Sequence, residues 1–248
     1  MYRGAAGVVT GARHLRTARN GQDAAAVVVA DEVAVAVVCD GCSSGPSSEV
    51  GARIGARLFA AAIDRRLRAG AAASDPRVWS DARVELAGVI RALVTDAGAI
   101  DATALHEQFL FTIVAVAMTR DDAAVWALGD GAYIVDGQLH RLGPFADNEP
   151  PYLGYDLLDD VRPAHFDALP ASVRTIAVAT DGVFDLGYAY ADLVAPRFVD
   201  HADALRRQLA RLARSEDTID WSEQRIIRVP APLQDDCAIA ILRREVAC

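Results

Sequence analysis

Val33-Ala34-Val35-Ala36-Val37-Val38-Cys39-Asp40-Gly41-Cys42 (VAVAVVCDGC) decides how the rest of the chain is read. Val33 to Val38 is apolar and rich in β-branched residues, which predicts a buried strand. The run stops at Asp40-Gly41 and opens through Ser43-Ser44-Gly45-Pro46 into a helical pattern. A carboxylate at the end of a buried strand, beside a glycine that frees the backbone, suits a hard metal ion; a plain Asp-Gly turn is the competing reading. The pattern recurs. Val125 to Leu128 leads into Asp130-Gly131, Ile176 to Ala179 leads into Asp181-Gly182, and Asp235-Asp236 stands before Ile239 to Leu242. Aspartates at the edges of four apolar strands predict one site assembled from distant parts of the chain.

Upstream, Asn20-Gly21 is a turn signal and Asp23 begins the run Ala24 to Ala30. Asp31-Glu32 then makes a tight turn into Val33. The two runs read as an antiparallel hairpin, which puts Asp23 and Asp40 at the same edge. Downstream, Pro46 and Glu49 suit the first turn of a helix whose apolar stripe is Val50, Ile54, Leu58, Ala61 and Ala62, flanked by Phe59, Ile63 and Leu67. Gly70 to Pro76 breaks it. A second helix runs from Val78 to about Gly98 with Val84, Leu86, Val89, Ile90, Leu93 and Val94 as its face, and Gly98 to His106 is a linker. Strands follow at Phe109–Met118, Ala123–Leu128, Tyr133–Val135 and Gln138–Leu142, a meander. Gly143 to Gly154 is irregular. A strand at Arg174–Thr180, helices at Tyr188–Asp200 and Ala202–Ser215, a polar and ambiguous stretch Ser215–Pro232, and a strand at Cys237–Leu242 complete the chain. Strands alternating with helix pairs, without strict βαβ repetition, predict an α+β layered fold and exclude a Rossmann or barrel reading.

The chain has 248 residues, 52% hydrophobic and 24% charged, as in a globular protein with its own core. Every basic residue apart from the histidines is arginine. The net charge of -9 excludes a general nucleic-acid binder, which needs a basic face. The sequence has no apolar run of membrane-spanning length and no signal-type leader at its start, so a cytoplasmic protein is expected, with no membrane partner. Its four cysteines, Cys39, Cys42, Cys237 and Cys248, are too few and too scattered for a disulfide framework and are expected to be reduced. Cys39 and Cys42 flank Asp40, so oxidation of Cys42 is expected to disturb whatever Asp40 holds.

The ordered series Asn20-Gly21-Gln22-Asp23-Ala24, Asp40-Gly41, Gly129-Asp130-Gly131, Thr180-Asp181-Gly182 and Asp235-Asp236 resembles the metal-dependent protein phosphatases of type 2C. Gly11-Ala12-Arg13-His14 and Ser48-Glu49-Val50-Gly51-Ala52 are similar to its bacterial branch. The resemblance runs from about Gly11 to Leu242, which fits a single domain over 1–248. It implies a four-layer αββα sandwich: two central antiparallel sheets flanked by helix pairs. It also implies Mn²⁺ or Mg²⁺, two ions with a weaker third. By motif, Asp40 bridges the two ions, Gly41 offers a backbone carbonyl, Asp181 and Asp235 ligate, Asp23 holds a water at the ions, and Asp130 ligates the third. Carboxylates, a carbonyl and waters do suit Mg²⁺ or Mn²⁺ and not Zn²⁺.

The activity implied is hydrolysis of phosphoserine and phosphothreonine in a protein substrate, opposing a Ser/Thr kinase, by a water that two divalent ions activate. No protein nucleophile is needed. Many members carry an arginine where Ala18 stands; Arg16, Arg19 or His14 is then expected to grip the phosphate, and His14 is also the candidate general acid. Gly131-Ala132 replaces the family's Ser-Arg. Two alternatives stay open: a weak or inactive type 2C-like binding module, and an esterase of small phosphate compounds.

Overall fold

A computed structural model describes residues 1–146, 149–201 and 203–245. Its elements in chain order are β1 (Tyr2–Val9), α1 (Ala12–Arg16), β2 (Ala24–Val29), β3 (Val33–Cys39), α2 (Glu49–Arg68), α3 (Pro76–Val94), β4 (Thr95–Asp96), β5 (Ala99–Ile100), α4 (Ala102–Gln108), β6 (Ile113–Thr119), β7 (Ala123–Leu128), β8 (Gly131–Val135), β9 (Gln138–Leu142), β10 (His165–Leu169), β11 (Thr175–Ala179), α5 (Tyr190–Leu193), α6 (Arg197–Asp200), α7 (Ala204–Leu212), β12 (Glu216–Asp220), β13 (Arg225–Val229) and β14 (Cys237–Arg244). Short 3-10 helices cover Leu153–Leu158 and Asp181–Ala189.

Two antiparallel five-stranded sheets form the centre, ordered β1-β14-β11-β8-β9 and β10-β7-β6-β3-β2. Alternation along β3 shows why its sequence is apolar at every position. Val33, Val35, Val37 and Cys39 pack with α2 and α3, while Ala34, Ala36 and Val38 face the other sheet. A strand with both faces covered has no polar side to display. The other sheet is covered on its outer face by Leu193, Phe198, Leu205 and Leu209 of α5, α6 and α7. The layers are therefore helix, sheet, sheet, helix, as the resemblance implied.

The hairpin of β2 and β3 pairs Ala24 with Cys39, so Asp23 and Asp40 do leave the sheet at one end. Both long helices bury only part of the expected faces: Phe59, Ala62, Ile63 and Leu67 in α2 and Leu86, Ile90 and Val94 in α3 are buried as expected. In α2 the buried residues include Gly51, Ala52, Gly55, Ala56, Phe59 and Ile63, while Val50 and Leu58 are exposed. The helix starts at Glu49, so Pro46 lies in the preceding turn. In α3, Trp79, Ala82 and Arg83 are buried while Val84, Val89 and Leu93 face out. That helix ends at Val94, β4 takes the place of its expected last turn, and the expected linker Gly98–His106 holds β5 and most of α4. The expected helix over Tyr188–Asp200 is broken into α5 and α6, with Pro196 capping the second. Ser215–Pro232 holds the β12–β13 hairpin, and β1 and β10 occupy stretches with no strand expected. No described helix is long and apolar enough to cross a membrane.

Candidate metal centre

Every aspartate of the series lies at one end of the two sheets. Asp23 precedes β2, Asp40 follows β3, Asp130 sits between β7 and β8, Asp181 follows β11, and Asp235-Asp236 precede β14. Together with His14, Gln22, Gly41, Cys42 and Tyr152 they line one cavity of about 100 Å³. No arginine lines it among the described residues.

Asp40 is held by continuing the strand pairing past the end of the sheet. Its carbonyl accepts from Thr112 N at 2.8 Å, and Cys42 N donates to Leu110 O at 2.9 Å. Gly41 bridges Phe111 between them. A Cβ on Gly41 would lie 2.6 Å from Ser48 Oγ and 2.9 Å from Gln22 O, so only glycine fits between α2 and the segment before β2. Gln22 locks the same corner: its Nε2 donates to Gly45 O at 2.7 Å and Ser48 Oγ at 2.6 Å. The Thr180 hydroxyl donates to Asp23 Oδ2 at 2.6 Å and accepts from Ala238 N at 2.9 Å.

The carboxylates oppose one another electrostatically. Burial, then the charge of Asp236, pushes Asp23 up to about 8 despite the Thr180 hydrogen bond. Burial and the charges of Asp23 and Asp181 push Asp40 well above the carboxylate range. Burial, with Asp130, Asp235 and Asp185 nearby, pushes Asp181 up to about 6. Burial also raises Asp130, whose Oδ1 is buried with no hydrogen-bond partner.

Such a ring is stable in its ionised form only if cations sit within it. The cavity lining is dominated by carboxylate oxygens, a donor type that suits Mg²⁺ or Mn²⁺. The orphaned Asp130 Oδ1 fits the same group. Among the described residues no group of three or more His, Cys, Asp or Glu side chains stands close enough together to hold an ion by itself. Ions that keep much of their water shell need no such group.

Asp235 and Asp236 have different surroundings. Asp236 is buried and accepts from Gly11 N, Gln22 N and His14 Nδ1, each at 2.7 Å. Asp235 is half exposed; Oδ1 takes the Asp236 amide at 2.9 Å and Oδ2 lies 3.9 Å from Arg13. Asp235 is thus the one with free acceptor capacity, while Asp236 is committed to the fold and to His14. Neither Arg16 nor Arg19 lines the cavity. Arg19 donates to Ser43 O and Gly45 O, both at 3.2 Å, and Arg16 reaches Gln234 Oε1 at 3.5 Å. Asp236 and Thr180 hold the cavity together without having been assigned a role from the sequence, although both stand in the quoted motifs Asp235-Asp236 and Thr180-Asp181-Gly182.

Cys39, Cys42 and Cys237 are free thiols, and Cys248 lies outside the described residues. Cys39 is fully buried and its thiol is pushed well up by burial. Cys42 lines the cavity, with Sγ 3.1 Å from Ser44 Oγ.

No curated protein sequence matches the chain. Among solved structures, a bacterial serine phosphatase aligns over 100% of both chains with a TM-score of 0.64 and 13% identity. The serine/threonine phosphatase Stp1 from Staphylococcus aureus covers 99% of this chain and 96% of its own at TM-score 0.61 and 11% identity. The catalytic domain of the serine threonine protein phosphatase PstP, solved with two manganese ions, covers 98% and 97% at TM-score 0.58 and 13% identity. These likenesses establish the fold. A family model described as protein phosphatase 2C matches residues 10–224, and with it the chain belongs to the protein phosphatase 2C family.

Proposed function

We propose that the protein hydrolyses phosphoserine and phosphothreonine in protein substrates and depends on Mn²⁺ or Mg²⁺. The observation that carries this reading is one cavity lined by six aspartates, among the described residues without a basic side chain other than His14. Asp40, the Gly41 carbonyl, Asp181 and Asp235 would hold two ions, and Asp130 a third. When bound, the ions supply an activated water and neutralise the phosphoryl charge.

The remaining steps belong to the chain. Asp23 has Oδ2 tied to Thr180, which leaves Oδ1 to orient the attacking water. Asp236 Oδ2 holds His14 at Nδ1, so that the doubly protonated imidazolium would present Nε2–H to the departing serine or threonine oxygen and return to the neutral ring once that proton is given. The lining without an arginine favours one second reading, a binding module that keeps the fold without turnover.

Hydrolysis of a phosphothreonine peptide, with Mn²⁺ or with EDTA, tests the proposal against both alternatives. Metal-dependent turnover that falls at least about 100-fold in Asp40→Asn and Asp181→Asn is expected. His14→Ala should slow the peptide by about 100-fold yet spare p-nitrophenyl phosphate, whose leaving group needs no acid. No turnover with any divalent ion in folded protein would favour the binding module. Faster turnover of sugar or nucleotide phosphates than of peptides would favour the small-ester reading.

A further inference from the structure

A second cavity of about 490 Å³ adjoins the metal centre. Its wall is α1 together with the segment before β14. His14 and Asp235 face the acidic cavity, while their chain neighbours Leu15, Arg16 and Gln234 line the second one. Arg214, at the end of α7, and Arg228, on β13, complete it. Among the described residues no carboxylate lines this cavity, in a chain whose net charge is -9. Arg228 is held in place by Asp217, with bonds of 2.7 and 2.8 Å. Arg16 reaches only the neutral Gln234 Oε1, and Arg214 has no carboxylate at ion-pair distance among the described residues.

We infer that this cavity is a subsite for an acidic side chain, aspartate or glutamate, of the phosphorylated protein substrate. The inference rests on the phosphatase reading of the neighbouring centre. Arginines from three separate parts of the chain line one opening, Arg16 and Arg214 of them without an ion-pair partner among the described residues, and Leu15 and Pro230 give the methylenes of a glutamate an apolar wall. The wall between the cavities is one helix thick, about 10 Å. About three residues of extended chain, at ~3.3 Å each, span it. The acidic residue is therefore at least about three positions from the phosphorylated one. It also supplies what the metal centre lacks: side-chain cations outside the ions to hold an anionic peptide in register. Long-range attraction of this kind falls with salt.

The test pairs phosphothreonine peptides that carry glutamates three positions away, on either side, with otherwise identical glutamine peptides. The glutamate peptide should be preferred in kcat/KM, and the preference should fall at least about threefold in Arg16→Glu and in Arg214→Glu, while Arg214→Lys keeps most of it. High salt should erase it. In parallel, fluorescence anisotropy with the unphosphorylated glutamate and glutamine peptides, in Mg²⁺ buffer, reads binding without any turnover. Tighter binding of the glutamate peptide that Arg214→Glu removes supports the subsite even if no phosphate is released, an outcome that would sink the phosphatase reading alone. Turnover of both peptides at equal kcat/KM, unmoved by both charge reversals, would overturn the subsite and leave the phosphatase reading intact.

Discussion

Two neighbouring aspartates stand in different surroundings in the acidic cavity, and their hydrogen bonds tell them apart. Asp236 satisfies the amides of Gly11 and Gln22 and the ring of His14. Removing its carboxylate leaves those donors without an acceptor, each costing about 1–3 kcal/mol when buried. The Asp235 carboxylate accepts no hydrogen bond from a distant element among the described residues and has only the long contact to Arg13, while its amide donates to Asp185 Oδ2 at 3.0 Å. Asp236→Ala is therefore expected to lower the melting temperature of the metal-free protein by several degrees, at about 2–4 °C per kcal/mol for a chain of this size. Asp235→Asn should leave that temperature unchanged or raise it, since one repelling charge is gone, yet weaken Mn²⁺ binding by at least about tenfold in a calorimetric titration. The reverse pattern, with Asp236 governing ion affinity and Asp235 stability, would exchange their roles.

At the level of the elements, α2 rides close over the strand extension that holds Asp40, and glycine makes the approach possible. A Cβ at Gly51 would stand 2.3 Å from the Gln108 carbonyl oxygen and 2.9 Å from Phe109 Cα. Backbone cannot step aside as a side chain can. Gly51→Ala should therefore cost about 1–3 kcal/mol despite alanine's better helix propensity. Gly88 of α3 is exposed with nothing within 4 Å of its Cβ position, so Gly88→Ala should gain about 1 kcal/mol. Thermal unfolding of the two variants checks the contrast, and equal shifts would remove the packing explanation. The same helix shows where sequence reading stops. Hydrophobic size pointed to Val50, Ile54 and Leu58, but close packing on a sheet selects the small face of Gly51, Ala52, Gly55 and Ala56. β3 and β7 were legible because burial on both faces leaves an unbroken apolar run. β1 was not, since Arg3-Gly4-Ala5-Ala6-Gly7 has neither bulk nor branching. Nor were β12 and β13, whose residues are nearly all exposed and show no buried alternation. The aspartates at strand ends stood out because each interrupts an apolar run. Thr180 and Asp236 did not, because their work is to hold backbone groups and side chains far away in the sequence.

For the whole molecule, the cluster of buried aspartates sets a pH dependence opposite in sign to that of surface ion pairs. The ordinary aspartate value is 3.8, and the fold pushes Asp23 up to about 8, Asp181 up to about 6 and Asp40 well above its usual range. A folded-state value above the unfolded one means that native protein keeps protons the unfolded chain has released. Their stabilisation is complete below about pH 4 and is lost as the pH rises towards about 8. Surface groups act the other way at lower pH. Glu85, lowered by Arg65 and Arg66, contributes stability above its ordinary value of 4.5 and loses it as the pH falls below its folded value. Between about pH 5 and pH 8 the buried ring therefore dominates. Metal-free protein is expected to lose at least about 3 °C in melting temperature across that window, the effect of ~1 kcal/mol in a chain this long. Saturating Mg²⁺ or Mn²⁺ should flatten the slope, because binding to the native state alone stabilises it most where the carboxylates are ionised. General self-repulsion of a chain with net charge -9 would also lower stability at high pH. Asp23→Asn separates the two causes: it removes one of the three buried titrations and changes the net charge by one. A metal-free slope clearly shallower in Asp23→Asn than in the parent assigns the effect to the ring of aspartates, and a slope unchanged by that substitution assigns it to net charge.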